Sequence, residues 1–112
     1  MEDKRRFPRH AAVLDAAYAI GGGQQGRIVE TATVNVSRGG CTLVMPGVEK
    51  PGSRILVHLV LPSGDELSVL GTVAWVREAI GGQRGSLGVA FEGTAALPEV
   101  YLAYLDRLEP NR

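Results

Sequence analysis

Two short polar clusters contain the residues best suited to binding chemistry. The first, RRFPR, places Arg5, Arg6 and Arg9 close together near the N-terminus. A guanidinium is always charged, binds a phosphate or the O6/N7 edge of guanine in bidentate fashion, and stacks on aromatic rings. Taken alone, such a charge run is more often a solvated basic terminus than a binding site.

The second cluster is NVSRGG, which contains Asn35, Ser37, Gly39 and Gly40. Asn and Ser side chains hydrogen-bond nearby backbone in turns, and glycine allows a sharp turn or a close approach to a ligand. The cluster alone therefore favours an ordinary hairpin turn over a binding loop, although the amide and hydroxyl could also contact a polar base.

The segments around these clusters predict short strands separated by turns. The Val-, Ile- and Thr-rich stretch Arg27–Val36 is typical of a strand. Alternating apolar residues from Leu67 to Trp75, and again from Leu87 to Phe91, indicate strands with one buried face. Further strands are predicted over residues 11–20, 41–45 and 54–61.

The C-terminal segment changes to a helical period, with one apolar stripe over residues 97–108. Six short strands and a terminal helix predict a mostly β fold, a small six-stranded antiparallel barrel. We expect residues 1–10 to form an extended, flexible arm, because Pro8 disfavours helix before it, and residues 11–112 to form the barrel domain with its helix. Trp75, Phe91, Tyr101 and Tyr104 are predicted core residues.

Composition argues against several functional classes. With 12 basic and 12 acidic residues, the formal net charge is zero, which disfavours an extended basic surface for binding nucleic acid. His10, His58 and Cys41 lack metal-ligand spacing, so we expect no metal site. The sequence contains no recognisable nucleophile–base arrangement, so we expect no enzymatic activity. No segment resembles a signal peptide or a membrane helix, and we expect a cytoplasmic protein without membrane insertion.

Together the two clusters resemble the signature of the PilZ domain family, R-x-x-x-R followed further along the chain by D/N-x-S-x-x-G. Arg5 and Arg9 match the first part, and Asn35, Ser37 and Gly40 match the second. Asparagine stands where aspartate is commoner in the family. The late segments VAWV and LGVAF, the latter containing Gly88, also resemble the family's pattern.

The resemblance implies a PilZ-type barrel that binds cyclic di-GMP and signals to an unidentified effector protein when the arm closes over the ligand. It implies no other cofactor. The ligand-binding residues implied by resemblance are Arg5, Arg6, Arg9, Asn35, Ser37, Gly39, Gly40 and Gly88. Two alternatives stay open: a degenerate PilZ adaptor that binds protein but no ligand, and a small barrel that binds single-stranded nucleic acid.

Overall fold

A computed structural model describes residues 8–20, 27–45, 49–81, 84–93 and 97–109 of the 112-residue chain. Arg5 and Arg6 lie outside the described residues, as does most of the predicted arm. Within the described part, the elements in chain order are β1 (His10–Ala11), β2 (Asp15–Ile20), β3 (Arg27–Val36), β4 (Gly40–Met45), β5 (Arg54–Val60), β6 (Glu66–Arg77), β7 (Gly85–Phe91) and α1 (Glu99–Leu108).

The strands form a closed antiparallel barrel. The order along the sheet is β1-β3-β2-β5-β6-β7-β4, and an additional pairing of β4 with β3 closes it. Strands β2 to β7 therefore make a six-stranded barrel, to which β1 adds a short seventh strand along β3. This confirms the predicted mostly β fold, with its six-stranded antiparallel barrel and C-terminal helix.

The single strand predicted over residues 11–20 was wrong in detail, because the side chain of Thr33 interrupts it. The Thr33 hydroxyl donates to the Ala12 carbonyl at 2.7 Å and accepts from the Leu14 amide at 2.8 Å. A side chain thus takes over ladder bonds that a continuous strand would make through its backbone. The segment is consequently split into β1 and β2.

The core fills the barrel interior with the inward-facing side chains of each strand. Val36, Cys41, Leu43, Val57, Leu59 and Leu87 are all fully buried. Helix α1 adds Tyr101 and Leu105 to this core. Tyr101 packs edge to face on Phe91, with ring centroids 6.2 Å apart. The helix therefore lies where β7 ends, and it buries most of its predicted apolar stripe, whereas Val100 of that stripe is 40% exposed.

Candidate ligand-binding site

Four residues from neighbouring strands lie side by side on the outer surface of the barrel. Asn35 of β3 pairs with Thr42 of β4, Thr42 pairs with Gly88 of β7, and Gly88 pairs with Trp75 of β6. The neighbours of Thr42 and Gly88 along their strands are core residues, so the alternation of a strand turns this set outward. We call Asn35, Thr42, Gly88 and Trp75 the binding row.

Trp75 reaches this surface because β6 contains a bulge. The register shifts between Val73 and Trp75, so that Trp75 rather than Ala74 lies opposite Gly88. A bulge inserts one residue and reverses the side-chain alternation beyond it. The prediction that Trp75 continues the core face of Leu67, Val69 and Val73 was therefore wrong. Trp75 is half-buried on the outside, and Val76 packs inward against the core instead.

Gly88 is the residue that allows the indole to lie against the sheet. A Cβ atom at this position would collide with Nε1 and Cε2 of Trp75. The indole therefore occupies the space that any other side chain would take. The result is a partly exposed aromatic ring beside a flat stretch of backbone.

Asn35 follows a second bulge, between Thr33 and Asn35 on β3. Its Oδ1 atom is buried and has no hydrogen-bond partner among the described residues. A buried acceptor without a donor costs free energy, and such groups in folded proteins call for an explanation. The unsatisfied Oδ1 lies on the same outward row as Thr42 and Trp75.

Arg9 connects the N-terminal cluster to the binding row. Its Nη1 donates to the Thr42 hydroxyl at 3.1 Å, and Thr42 is the cross-strand partner of Asn35. This bond joins residues 33 positions apart and places the permanent positive charge of the Arg9 guanidinium beside the row. The structure thus brings together Arg9, Asn35 and Gly88, whereas Arg5 and Arg6 fall outside the described residues.

Ser37, Gly39 and Gly40 form the turn between β3 and β4. The Ser37 hydroxyl accepts from the Gly39 and Gly40 amides at 3.1 Å each and lies within 3.2 Å of the Gly40 carbonyl. Ser37 is only 4% exposed, so its hydroxyl is used within the turn. A Cβ on Gly40 would strike the Val89 carbonyl. The glycine therefore permits the close approach of β4 to β7.

Helix α1 also contacts this turn. The Tyr101 hydroxyl donates to the Ser37 carbonyl at 2.7 Å, and both groups are buried. Burial raises the pKa of Tyr101, more strongly than the neighbouring Cys41 does, so the phenol stays a neutral donor. Burial likewise raises the pKa of the Cys41 thiol to about 12, with Arg9 opposing the shift.

The chemistry of this surface is that of binding. Arg9 offers a charged donor for phosphate or a purine edge, Trp75 a face for stacking, and Asn35 an unused acceptor. Among the residues that the structure describes, no group of three His, Cys, Asp or Glu side chains could hold a metal ion. No helix in the described ranges has the length and apolar character needed to cross a bilayer.

Comparison with known proteins decides the family. A family model for the PilZ domain matches residues 3–105, which is nearly the whole chain. This chain belongs to the PilZ domain family. PilZ domains are regulatory receptor or adaptor domains rather than enzymes.

Solved structures of PilZ proteins share the fold at low sequence identity. The Bacillus subtilis inhibitor of motility MotI/DgrA gives a TM-score of 0.75 at 19% identity over 96% of this chain, which spans only 50% of that protein. The Escherichia coli YcgR PilZ domain with c-di-GMP gives 0.69 at 13% identity, over 95% of this chain and 89% of that one. The K. pneumonia MrkH–c-di-GMP complex gives 0.68 at 15% identity, over 96% and 55%. No curated protein matches the chain.

Two members of the binding row, Thr42 and Trp75, were not predicted from the sequence as site residues. Thr42 gave no usable signal, since its role depends on the register between β3, β4 and β7. Trp75 did leave one signal. Val76 follows it directly, and an apolar residue in the opposite phase is what a bulge would place in the core.

Proposed function

We propose that this PilZ domain is a receptor for cyclic di-GMP and that the binding row is its ligand site. One observation carries the proposal: Arg9 of the R-x-x-x-R cluster is hydrogen-bonded to Thr42, the strand partner of Asn35 in the N-x-S-x-x-G cluster. The two halves of the signature therefore meet at one place on the barrel surface.

The groups at this place complement the chemistry of cyclic di-GMP, which has two phosphates and two guanines. Arg9 supplies a charged fork for a phosphate or for guanine O6 and N7. The unpartnered Oδ1 of Asn35 is an acceptor suited to the N–H groups of guanine. The indole of Trp75 provides a surface on which a guanine stacks. Gly39 and Gly40 let the turn approach the ligand closely.

The arm completes the site in this proposal. Arg5 and Arg6 add charge-assisted bonds when the arm closes over the ligand, at about 1.5–3 kcal/mol each. These bonds offset the entropy of ordering the arm, roughly 1–2 kcal/mol per residue. Closure then presents a new surface to an effector protein. The structures of YcgR and MrkH, which share the fold, contain c-di-GMP, and this supports the choice of ligand.

The test is calorimetric titration of the purified protein with cyclic di-GMP, with GTP as the control ligand. We expect binding of cyclic di-GMP only, and a loss of about 10-fold or more in Arg9→Ala, because a charged hydrogen-bonding group is removed. Arg54→Ala is the matched control. Arg54 forms an ion pair with Glu92, with an N–O distance of 3.0 Å, and it lies on β5, which is not part of the binding row.

The opposite result is equally informative. No heat at ligand concentrations up to about 1 mM, where binding corresponds to roughly −4 kcal/mol, would contradict the receptor proposal. It would leave the adaptor that binds protein without ligand.

A further inference from the structure

The turn Ser37–Gly40 is held from outside the sheet as well as from within it. Its Ser37 carbonyl accepts from the Tyr101 hydroxyl at 2.7 Å, and its Gly39 carbonyl accepts from the Phe91 amide at 2.8 Å. The rings of Phe91 and Tyr101 pack against each other at an angle of 69°. The last residue of β7 and the third residue of helix α1 therefore both hydrogen-bond to the same turn.

The contact from Tyr101 is the only hydrogen bond between helix α1 and the turn among the described residues. Tyr101 is fully buried, and Ser37 is 4% exposed. If the hydroxyl were removed, the Ser37 carbonyl would be a buried acceptor without a donor, and the turn would have to shift to reach water. The helix thus stabilises one backbone geometry of the turn.

A second contact ties the other end of the helix to the N-terminal side of the site. His10 Nε2 lies 3.4 Å from Glu109 Oε2, and His10 directly follows Arg9. Helix α1, through Tyr101, and its C-cap residue Glu109 consequently contact both segments that meet in the binding row, at Ser37 and beside Arg9. Neither Tyr101 nor Glu109 is among the residues that we assign to the ligand.

We propose that Tyr101 is a positioning residue: by binding the Ser37 carbonyl, it sets the turn in the geometry that the ligand needs and couples helix α1 to ligand binding. This inference rests on the proposed function. Coupling between two equilibria is reciprocal, so a helix that favours ligand binding is itself stabilised when ligand binds.

The test compares two tyrosine-to-phenylalanine variants that each lose one buried hydroxyl. Tyr101→Phe removes the bond to Ser37. Tyr18→Phe is the matched control, because Tyr18 is also buried and donates at 2.8 Å to Glu49, which Arg27 still holds. We expect cyclic di-GMP to bind Tyr101→Phe at least about 5-fold more weakly, the loss of one buried hydrogen bond expressed as an affinity ratio, and Tyr18→Phe to bind like wild type. Equal affinities of the two variants would overturn the proposal.

Two further readouts separate this proposal from the receptor proposal and from simple loss of stability. Without ligand, amide hydrogen exchange at Gly39 and Gly40 should be faster in Tyr101→Phe than in Tyr18→Phe, even if the wild-type protein binds no cyclic di-GMP. Equal exchange would overturn the positioning role. A readout on the wild type does not depend on the folding of any variant. There, cyclic di-GMP should slow hydrogen exchange of the amides in helix α1. Unchanged exchange in the helix on binding would overturn the coupling.

Discussion

Two outward-facing rows on opposite sides of the barrel make an informative comparison. The binding row crosses β3, β4, β7 and β6. The opposite row, which we define as Glu30, Ala17, His58 and Ser68, crosses β3, β2, β5 and β6. Both are built on paired antiparallel strands, and both carry polar side chains. They differ in how those side chains are satisfied and in how regular the strands are.

The polar side chain of His58 on the opposite row has its hydrogen-bond partners on the same strand pair. His58 Nδ1 lies 3.0 Å from the Ser68 hydroxyl, and its Nε2 lies 2.8 Å from Glu66 Oε1. Its strand pairings run without a register shift. His58 thus has a hydrogen-bond partner on each ring nitrogen. Among the described residues, no buried side-chain polar atom on this row lacks a hydrogen-bond partner, and we expect the row to act as a solvated surface.

The binding row lies between two bulges, in β3 beside Asn35 and in β6 beside Trp75. Bulges are found next to functional sites, where they redirect a side chain at some cost in regular pairing. Here they accompany a buried acceptor without a partner and an aromatic ring turned to the outside. The contrast teaches that irregular pairing and unmet polar groups, rather than polarity itself, distinguish a candidate site.

The largest expected effect is that of Gly88→Ala. The added Cβ would meet the Trp75 indole, and overpacking of this kind costs about 1–3 kcal/mol. We expect the ring to be displaced, a red shift of the emission of this single tryptophan, and a loss of cyclic di-GMP affinity of about 10-fold or more. Ser68→Thr adds one methyl to the opposite row and should change neither quantity. Unaltered emission and affinity in Gly88→Ala would remove Gly88 from the site.

Next in size is Ser37→Ala. It leaves the Gly39 and Gly40 amides without their acceptor inside a buried turn, which should lower the free energy of unfolding by about 1–3 kcal/mol. Ser63→Ala is the control, because Ser63 accepts from the Asp65 amide in an exposed turn outside the binding row. Urea denaturation measures both variants. Equal losses would show that the turn near the binding row is not specially held.

Asn35→Ala should separate binding from stability. Removing an unsatisfied acceptor takes no hydrogen bond from the described part of the free protein, so the free energy of unfolding should stay level or rise. Affinity for cyclic di-GMP should fall by about 5-fold, the effect of one lost hydrogen bond. Ser68→Ala on the opposite row should leave affinity unaltered. A marked loss of stability in Asn35→Ala with unchanged affinity would contradict the role given to Oδ1.

The smallest effect is expected for Glu66→Gln. Its ion pair with His58 is more than half exposed on the carboxylate side, and exposed pairs contribute less than about 1 kcal/mol. We expect a small change in thermal stability and none in ligand affinity. A clear loss of affinity would show that the opposite row takes part in binding after all.

The barrel could be predicted from the sequence because its pattern is local. Strand β3 was predicted as Arg27–Val36, which is where the structure has it, and its Val, Ile and Thr content is enough to indicate it. The terminal helix follows in the same way from its apolar stripe. Arg9 and Asn35 were identified by the family signature rather than by their own chemistry.

The binding row could not be predicted in the same way, because it depends on register. Alternation from Leu67 to Val73 says nothing about where an extra residue enters β6, so Trp75 was placed in the core. The contact of Arg9 with Thr42 joins residues far apart in sequence, and it exists only once β3, β4 and β7 are aligned. Local patterns predict elements, whereas bulges and cross-strand neighbours determine the site.

The most direct test of the central claim is an amide and indole NMR titration of the wild-type protein with cyclic di-GMP. We predict that the shifts concentrate at Asn35, Gly39, Gly40, Gly88 and the Trp75 indole N–H, while His58, Ser68 and their strand neighbours stay unchanged. Shifts that cluster on the opposite row, or no shifts at saturating ligand, would contradict the assignment of the binding row as the ligand site.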